Sequence, residues 1–330
     1  MIWLTYLGAM ILAWSLGKNN LGNLFGTAVG TRMVRLKTAA VVAGIAVLAG
    51  ALVSGAGTTA SVAQLGQLDK PEELLVVIFT AFFVQEVFSL RGTPTSLMQT
   101  MIGALVGWNI ARAAVVDWPL MRQMAGAWLM APVIASIISG ILMFLCRRAL
   151  TRWPVSLFIR DSVVRVGLVL ACTWAAYALG ANNVGTIVGP YLEVYPDLPA
   201  YGVIIVVCIF VGIGFLMANK KVIATVSSRL FPLSPVEALV VMAATAVSLF
   251  CFSLQEWQEE LREWHLPAFP LVPIPVSGVI IGAICGISLA RGGYGLRFGI
   301  LGRIILSWFL VPVVAGGLSW GLLILMRGMG

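Results

Sequence analysis

Short clusters of charge punctuate long apolar runs along the whole chain, and that punctuation is the strongest constraint the sequence imposes. Basic clusters stand at Arg32, Arg35 and Lys37, at 147–165, at 220–229 and at 291–303, with Arg91 between the first two. Acidic residues fall between them: Asp69, Glu72 and Glu73, then Asp117, then Glu193 and Asp197, then Glu256, Glu259, Glu260 and Glu263. The positive-inside rule places the basic clusters on the cytoplasmic side, and each apolar run between unlike clusters then crosses a bilayer once. At roughly 20 residues per crossing, this predicts about ten spans, near 2–28, 38–62, 74–90, 94–112, 122–146, 163–187, 200–217, 235–254, 271–290 and 304–326.

A soluble domain is roughly a quarter charged. Here 10% of residues are charged, 60% are hydrophobic and the mean hydropathy is +1.00. No water-soluble globule hides so much apolar surface, so the expectation is an all-α integral membrane protein without a soluble domain. The net charge of +8 sits in loops, where topology accounts for it. Membrane lipid is therefore the expected partner, in a cell membrane of the bacterial inner type, and nucleic acid is not expected. Met1 to Ala13 has no basic n-region and no cleavage site, and reads as the start of the first span. Cys146, Cys172, Cys208, Cys251 and Cys285 lie in apolar runs without paired spacing, which argues against a disulfide framework or a metal centre. With no HExxH, Walker A loop or GxSxG elbow in the chain, the protein is not read as an enzyme, and no catalytic residue, cofactor or metal is expected.

An internal repeat divides the chain into 1–150 and 151–330. Gly17-Lys-Asn-Asn20 is echoed by Gly180-Ala-Asn-Asn183, each followed by small residues. Gly103-Ala-Leu-Val-Gly107 returns as Gly282-Ala-Ile-Cys-Gly286, an offset of 282 − 103 = 179. Trp128-Leu-Met-Ala-Pro132 returns as Trp308-Phe-Leu-Val-Pro312, an offset of 308 − 128 = 180. Five spans per half is an odd number, so the halves are expected to be inverted in the bilayer, with both termini outside. Inverted repeats are the architecture of secondary transporters, whose substrate site lies near the midplane where the repeats meet.

Gly, Asn and Pro inside a span weaken a continuous helix, and such breaks survive in a membrane only where freed backbone faces protein or a wet cavity. Four stretches qualify: Gly17–Gly30, Gly92–Ser96, Gly180–Pro190 and Pro273–Gly278. Helix starts near Thr95, Ser96 and Gln99, and near Ser277 and Gly278, would aim N–H groups at an anion, and Asn19, Asn20, Asn182 and Asn183 would add amide donors and carbonyl oxygens. The alternative for each glycine-rich stretch is close helix packing. Lys18 is either the fixed cation of an anion site or a side chain snorkelling to the headgroups. Glu86, Arg91 and Arg112 are expected in structural ion pairs, His265 in a solvated loop, and Gln255–His265 as an amphipathic lid or packing element.

These motifs resemble those of the inorganic phosphate transporter family. Gly17–Gly30 is similar to its G-A-N-D-V-A-N-A-F-G-T-x-V-G signature, and Gly180–Pro190 to the second copy of that signature. Pro94–Gln99 and Pro273–Gly278 stand where the family has P-x-S-T-T, and the order of motifs is kept over nearly the whole chain. The resemblance implies broken or re-entrant helices and a tetrahedral oxyanion, phosphate or sulfate, held by helix tips and by Asn, Ser, Thr and Gln side chains. The sulfate-carrying branch is the closer resemblance. Substrate-binding residues carried over are Lys18, Asn19, Asn20, Asn23, Ser96, Gln99, Asn182, Asn183 and Ser277, and cation-binding ones are Asn20, Asn183 and Thr186. Asn20 and Asn183 replace the family's Asp, which puts the coupling ion, Na+ or H+, in question, and Lys18 stands at a family Ala. The expected function is a symporter of a small inorganic oxyanion working by alternating access, compatible with a homodimer. The competing expectations are a non-transporting scaffold descended from such a carrier and a carrier of another solute.

Overall fold

The computed structural model describes residues 2–66, 68–152, 156–266 and 268–328. Met1 and 329–330 lie outside the described residues, and with them the two chain ends whose side of the membrane the charges predict. Among the described residues all regular structure is helical: α1 (Ile2–Gly30), α2 (Leu36–Ser54), α3 (Ala56–Gly66), α4 (Pro71–Leu90), α5 (Leu97–Arg112), α6 (Trp118–Arg152), α7 (Leu157–Asn183), α8 (Gly185–Val194), α9 (Ala200–Leu216), α10 (Lys220–Ala224), α11 (Pro235–Cys251), α12 (Gln255–Glu263), α13 (Val276–Ala290) and α14 (Phe298–Gly328). A π-helical turn, Thr225–Arg229, continues α10.

Five helical runs are long and apolar enough to cross a membrane, or up to seven if α9 with α10 (bent by 67°) and α11 with α12 (bent by 74°) each count as one. The chain is thus a multi-pass membrane protein, and the ten crossings expected from charge exceed what helix length alone supports. α1 falls outside that set because Lys18, Asn19, Asn20 and Asn23 dilute its hydropathy. α5 and α13, at 16 and 15 residues, rise about 24 Å, short of a hydrocarbon core of roughly 30 Å. Non-helical backbone at 92–96 and 268–275 precedes them and supplies the remaining depth.

Of the four expected breaks, two are plain: 92–96 before α5 and 268–275 before α13. At Gly180–Pro190 the interruption shrinks to the single residue Val184, between α7 and α8. At Gly17–Gly30 the expectation fails, because α1 runs through the stretch as one helix. Tertiary packing overrides propensity there. A Cβ on Gly17 would lie 2.0 Å from the Val211 carbonyl oxygen, so the glycine serves close approach by α9. Asn19 and Asn20 donate their side-chain amides to the carbonyls of Ser15 and Leu16, one turn back, and so stay inside the helix instead of ending it.

The repeated motifs pack crosswise. Gly103 and Gly107 on α5 lie against Pro312 and Gly316 on α14, where a Cβ would fall 2.3 and 2.1 Å from a backbone oxygen. Gly282 and Gly286 on α13 lie against Pro132 and Ser136 on α6, at 2.1 Å each. α1 meets α9 through Gly17 and Gly214, and α7 meets α2 through Gly180 and Gly50. Lipid tails are as apolar as leucine, so helix association in a membrane rests on such close packing. The outer faces of α6 and α14 carry Val133, Ile137, Phe144, Phe309, Val313 and Leu325, all exposed, as lipid-facing surface requires.

Each short helix is also clamped to the helix before it. Glu73, in the first turn of α4, pairs with Arg112 at the end of α5. Glu237, in the first turn of α11, pairs with Arg291 just past α13, while its other oxygen accepts from the Ser234 backbone and hydroxyl at 2.9 and 2.8 Å. Both acids follow a proline at the first helical position, Pro71 and Pro235. Arg112 thus occupies the structural role expected of it.

Gly103→Ala and Gly282→Ala should each cost about 1–3 kcal/mol, because the methyl meets backbone that cannot yield. Gly126→Ala on α6, where no atom lies within 4 Å of the added Cβ, should be neutral or stabilising by about 0.5–1 kcal/mol. Thermal unfolding of the purified protein in detergent measures the contrast.

Candidate functional site

α1 carries a ladder of polar side chains whose orientations fix one another. Asn20 donates Nδ2 to the Leu16 carbonyl at 3.0 Å, which turns its Oδ1 toward Asn23. Asn23 donates Nδ2 to that oxygen at 3.2 Å, which leaves its own Oδ1 buried without a partner among the described residues. Thr27, one turn on, buries an unpartnered hydroxyl.

The second asparagine pair works differently. Asn182 Oδ1 accepts from the Ile274 backbone N–H at 2.7 Å, and its Nδ2 reaches the carbonyls of Val272 (3.2 Å) and Phe252 (3.4 Å). Asn183 donates to Asn182 Oδ1 at 3.0 Å and to the Ile274 carbonyl at 3.4 Å. The pair therefore satisfies the backbone of the non-helical stretch that leads into α13, supplying what that stretch lost by not being helix. Beside it, Thr186 in the first turn of α8 has an unpartnered, buried hydroxyl.

Both short helices begin without side-chain caps, α5 at Ser96 and α13 at Pro275. Their first backbone N–H groups and positive dipole ends are thus left to whatever lies ahead of them. Thr95 Oγ1 and Gln99 Oε1 at the start of α5 and Ser277 Oγ at the start of α13 are buried and have no partner among the described residues. α1 touches both α8 and α13, and α5 touches α8, so the four elements that carry these atoms are neighbours. Asn20, Asn23, Ser96, Gln99, Asn182, Asn183, Thr186 and Ser277 are all at most 5% exposed, so the region is closed to solvent. Buried polar atoms without partners cost roughly 1–3 kcal/mol each, and several of them on helices in mutual contact form a candidate cluster, where a polar guest would repay the cost.

Lys18 stands apart from that cluster. Its ammonium lies 2.5 Å from Glu86 Oε2 on α4 and 4.6 Å from the centre of the Trp14 ring. Neither reading from the sequence, the fixed cation of an anion site or a snorkelling side chain, included this partner. Asn19 is tied to the same corner, accepting from the Ser89 hydroxyl. Sequence reasoning did not reach Glu86 as its partner, nor Gln85, fully buried with both side-chain amide atoms unpartnered. Within the Gln255–His265 segment, Gln255–Glu263 forms α12, where Gln258 donates to the Cys251 carbonyl and accepts from the Phe269 N–H, tying the end of α11 to the stretch after α12.

An apolar cavity of about 250 Å³, lined by Tyr6, Met10, Tyr191, Leu198 and Val207, opens between α1, α8 and α9. None of the predicted site residues lines it, and apart from the hydroxyls of Tyr6 and Tyr191 its side-chain lining is apolar.

The description "Phosphate transporter family" fits a family model that matches residues 16–257, nearly three quarters of the chain. Proteins described as phosphate permeases align end to end: one from Methanocaldococcus jannaschii is 22% identical over 92% of this chain and 91% of its own, and one from Thermococcus kodakarensis is 24% identical over 92% of each. A third, from Haemophilus influenzae, is 22% identical over 96% of this chain and 94% of its own. Among solved structures, one titled "The sodium-dependent phosphate transporter" superposes with a TM-score of 0.79 over 98% of both chains at 18% identity, and thus shares the fold. With the match running from the middle of α1 to the first residues of α12, the chain belongs to the phosphate transporter family.

Proposed function

We propose that the protein is a secondary carrier that moves inorganic phosphate across the membrane by alternating access, holding it near the midplane between two inverted halves. The observation that carries this reading is the set of buried, unpartnered side-chain oxygens of Asn23, Thr27, Thr95, Gln99, Thr186 and Ser277 on four neighbouring elements, beside two uncapped helix starts. Helix starts stabilise negative charge, and hydroxyls donate to phosphate oxygens. Ser96, Asn19, Asn20, Asn182 and Asn183 complete the proposed surround, with Lys18 at its edge.

The crosswise contacts support the inversion. Along each contact the numbers rise together, 103 with 312 and 107 with 316, then 132 with 282 and 136 with 286, so α5 runs parallel to α14 and α13 parallel to α6. We read the five-residue connection 113–117 as turning α5 back into α6, which would set α5 antiparallel to its counterpart α13. Domains 1–150 and 151–330 are then two copies related by an axis in the membrane plane.

Phosphate is favoured over sulfate by the acceptors. Asn23 Oδ1, whose orientation the ladder fixes, and Gln99 Oε1 are oxygens that need a donor. Hydrogen phosphate brings a P–OH, whereas sulfate offers acceptors only. Asn20, Asn183 and Thr186 supply oxygen ligands without charge, which suits a weakly held Na+ better than a divalent ion. A homodimer in the inner membrane, with both termini outside, completes the proposal.

Reconstituted into liposomes, the protein should take up labelled phosphate, and excess unlabelled phosphate should block that uptake while equal sulfate does not. Equal competition by sulfate would defeat the acceptor argument, and no flux of either anion through intact protein would defeat the carrier reading. Thr186→Val and Thr27→Val should leave stability unchanged or raise it by about 1 kcal/mol, because each removes an unsatisfied hydroxyl, yet slow uptake about 3- to 10-fold. Thermal unfolding and initial uptake rates, measured on the same preparations, test both halves of that expectation.

A further inference from the structure

The two non-helical turns that precede α5 and α13 are fastened to the rest of the protein in matched ways. Thr225 donates its hydroxyl to the Gly92 carbonyl at 3.0 Å, and Ser61 donates its own to the Leu271 carbonyl at 2.7 Å. The numbers correspond: Thr225 to Ser61 at an offset of 225 − 61 = 164, and Gly92 to Leu271 at 271 − 92 = 179, the offset of the repeated glycines. Asn19 holds Ser89 on one side, and Asn182 holds Phe252, Val272 and Ile274 on the other.

Against this symmetry, one fastening carries charge and the other does not. On the α4–α5 side, Lys18 Nζ meets Glu86 Oε2 at 2.5 Å, and Ser15 donates to Glu86 Oε1 at 2.7 Å. Asn219, where α9 breaks into α10, donates to the Ser89 carbonyl and hydroxyl at 3.0 and 2.9 Å, and its N–H bonds the Lys18 carbonyl at 2.9 Å. Lys221 Nζ reaches the Leu90 carbonyl at 2.9 Å. The counterparts follow from the offsets of Gly17 to Gly180 (163) and of Pro71 to Pro235 and Gly50 to Gly214 (164). Ser15 and Lys18 become Ala178 and Ala181, Glu86 becomes Phe250, and Asn219 and Lys221 become Gly55 and Gly57. Phe250 packs edge-on against Trp174 at 5.3 Å, and Phe252 against Phe269 at 5.0 Å. Five polar positions on one side answer to five apolar or small ones on the other.

From this asymmetry we infer that the Lys18–Glu86 ion pair is a one-sided latch, which holds the 91–96 turn against α1 and the α9–α10 bend, while the 268–275 stretch is held by apolar packing and by hydrogen bonds from uncharged side chains to its backbone. It rests on the carrier reading only in treating the two turns as the walls that part when the chamber opens. The pair joins two packed pairs of helices: α1 meets α9 at Gly17 and Gly214, and α4 is clamped to α5 by Glu73 and Arg112. Movement of the α4–α5 hairpin away from α1 must therefore separate Lys18 from Glu86, and no charged pair resists the corresponding movement of α11–α13. Opening toward the face that carries Arg91, Lys220 and Lys221 is gated by charge, and opening toward the other face is not.

Hydrogen–deuterium exchange of the full-length protein in nanodiscs tests the latch without any need for transport. Lys18→Met and Glu86→Gln should each speed amide exchange across 89–97 by about fivefold or more and leave 268–277 unchanged. The double variant should add little to either single change, as expected of one interaction counted twice. Equal acceleration of both segments would mean general loosening, unchanged exchange at 89–97 would mean the pair holds nothing, and additive effects would mean the two residues act separately; each overturns the latch. Because exchange is read on the protein alone, a failure of phosphate uptake leaves the latch standing, and a failure of the latch leaves the uptake test untouched.

Discussion

Everything in this fold depends on backbone meeting backbone at glycine. Between α5 and α14, α13 and α6, α1 and α9, and α7 and α2, the approach is so close that a single methyl would sit about 2 Å from a carbonyl oxygen. In water, burial of apolar side chains would drive such helices together, but lipid supplies no comparable force. Shape then has to do what hydrophobicity cannot. The glycine positions are therefore the joints of the protein, and the polar interior is built in the space those joints leave.

That interior combines two opposite treatments of polar groups. Around Asn182 and Asn183 nearly every donor and acceptor is matched, and the result is a stretch of non-helical backbone held in place by protein groups. At Asn23, Thr27, Thr95, Gln99, Thr186 and Ser277 the matching is left incomplete. A protein that satisfied these atoms internally would be more stable and would have nothing to offer a hydrated anion in exchange for its water. Recognition of a solute that must shed its hydration shell requires a shell of protein groups kept in want of partners.

Membrane class and helical architecture were legible because composition and the alternation of charge report on solvent directly. The turn before α5 and the stretch before α13 were legible because proline and glycine fell inside apolar runs, where they weaken a continuous helix. Gly17–Gly30 was misread because glycine looks the same in sequence whether it ends a helix or admits a neighbour, and only the position of Val211 on α9 decides between them. Lys18 could be seen to be unusual but not to be paired, since Glu86 is 68 residues away on another helix. The clamps at Glu73 and Glu237 did leave a trace, the Pro-x-Glu of 71–73 and 235–237, each followed by an arginine at the end of the next short helix. Of the residues with unpartnered oxygens, Asn23, Thr95, Gln99, Thr186 and Ser277 were named from the motifs and Thr27 was not, but the lack of a partner left no trace, because a buried threonine with a partner and one without are spelled alike.

The crosswise packing of the two halves bears on how the chain is made. α5 and α2 emerge from the ribosome long before α14 and α7, the helices whose backbones they fit. During synthesis the first half holds glycine-lined grooves that nothing yet fills, in a bilayer whose lipids are a poor match for them. The first half completes its native contacts only as the helices of the second half are inserted, α14 among them. Assembly is thus a late, collective event, and the early helices depend on the insertion machinery, or on loosely fitting lipid, to keep them apart until their partners arrive.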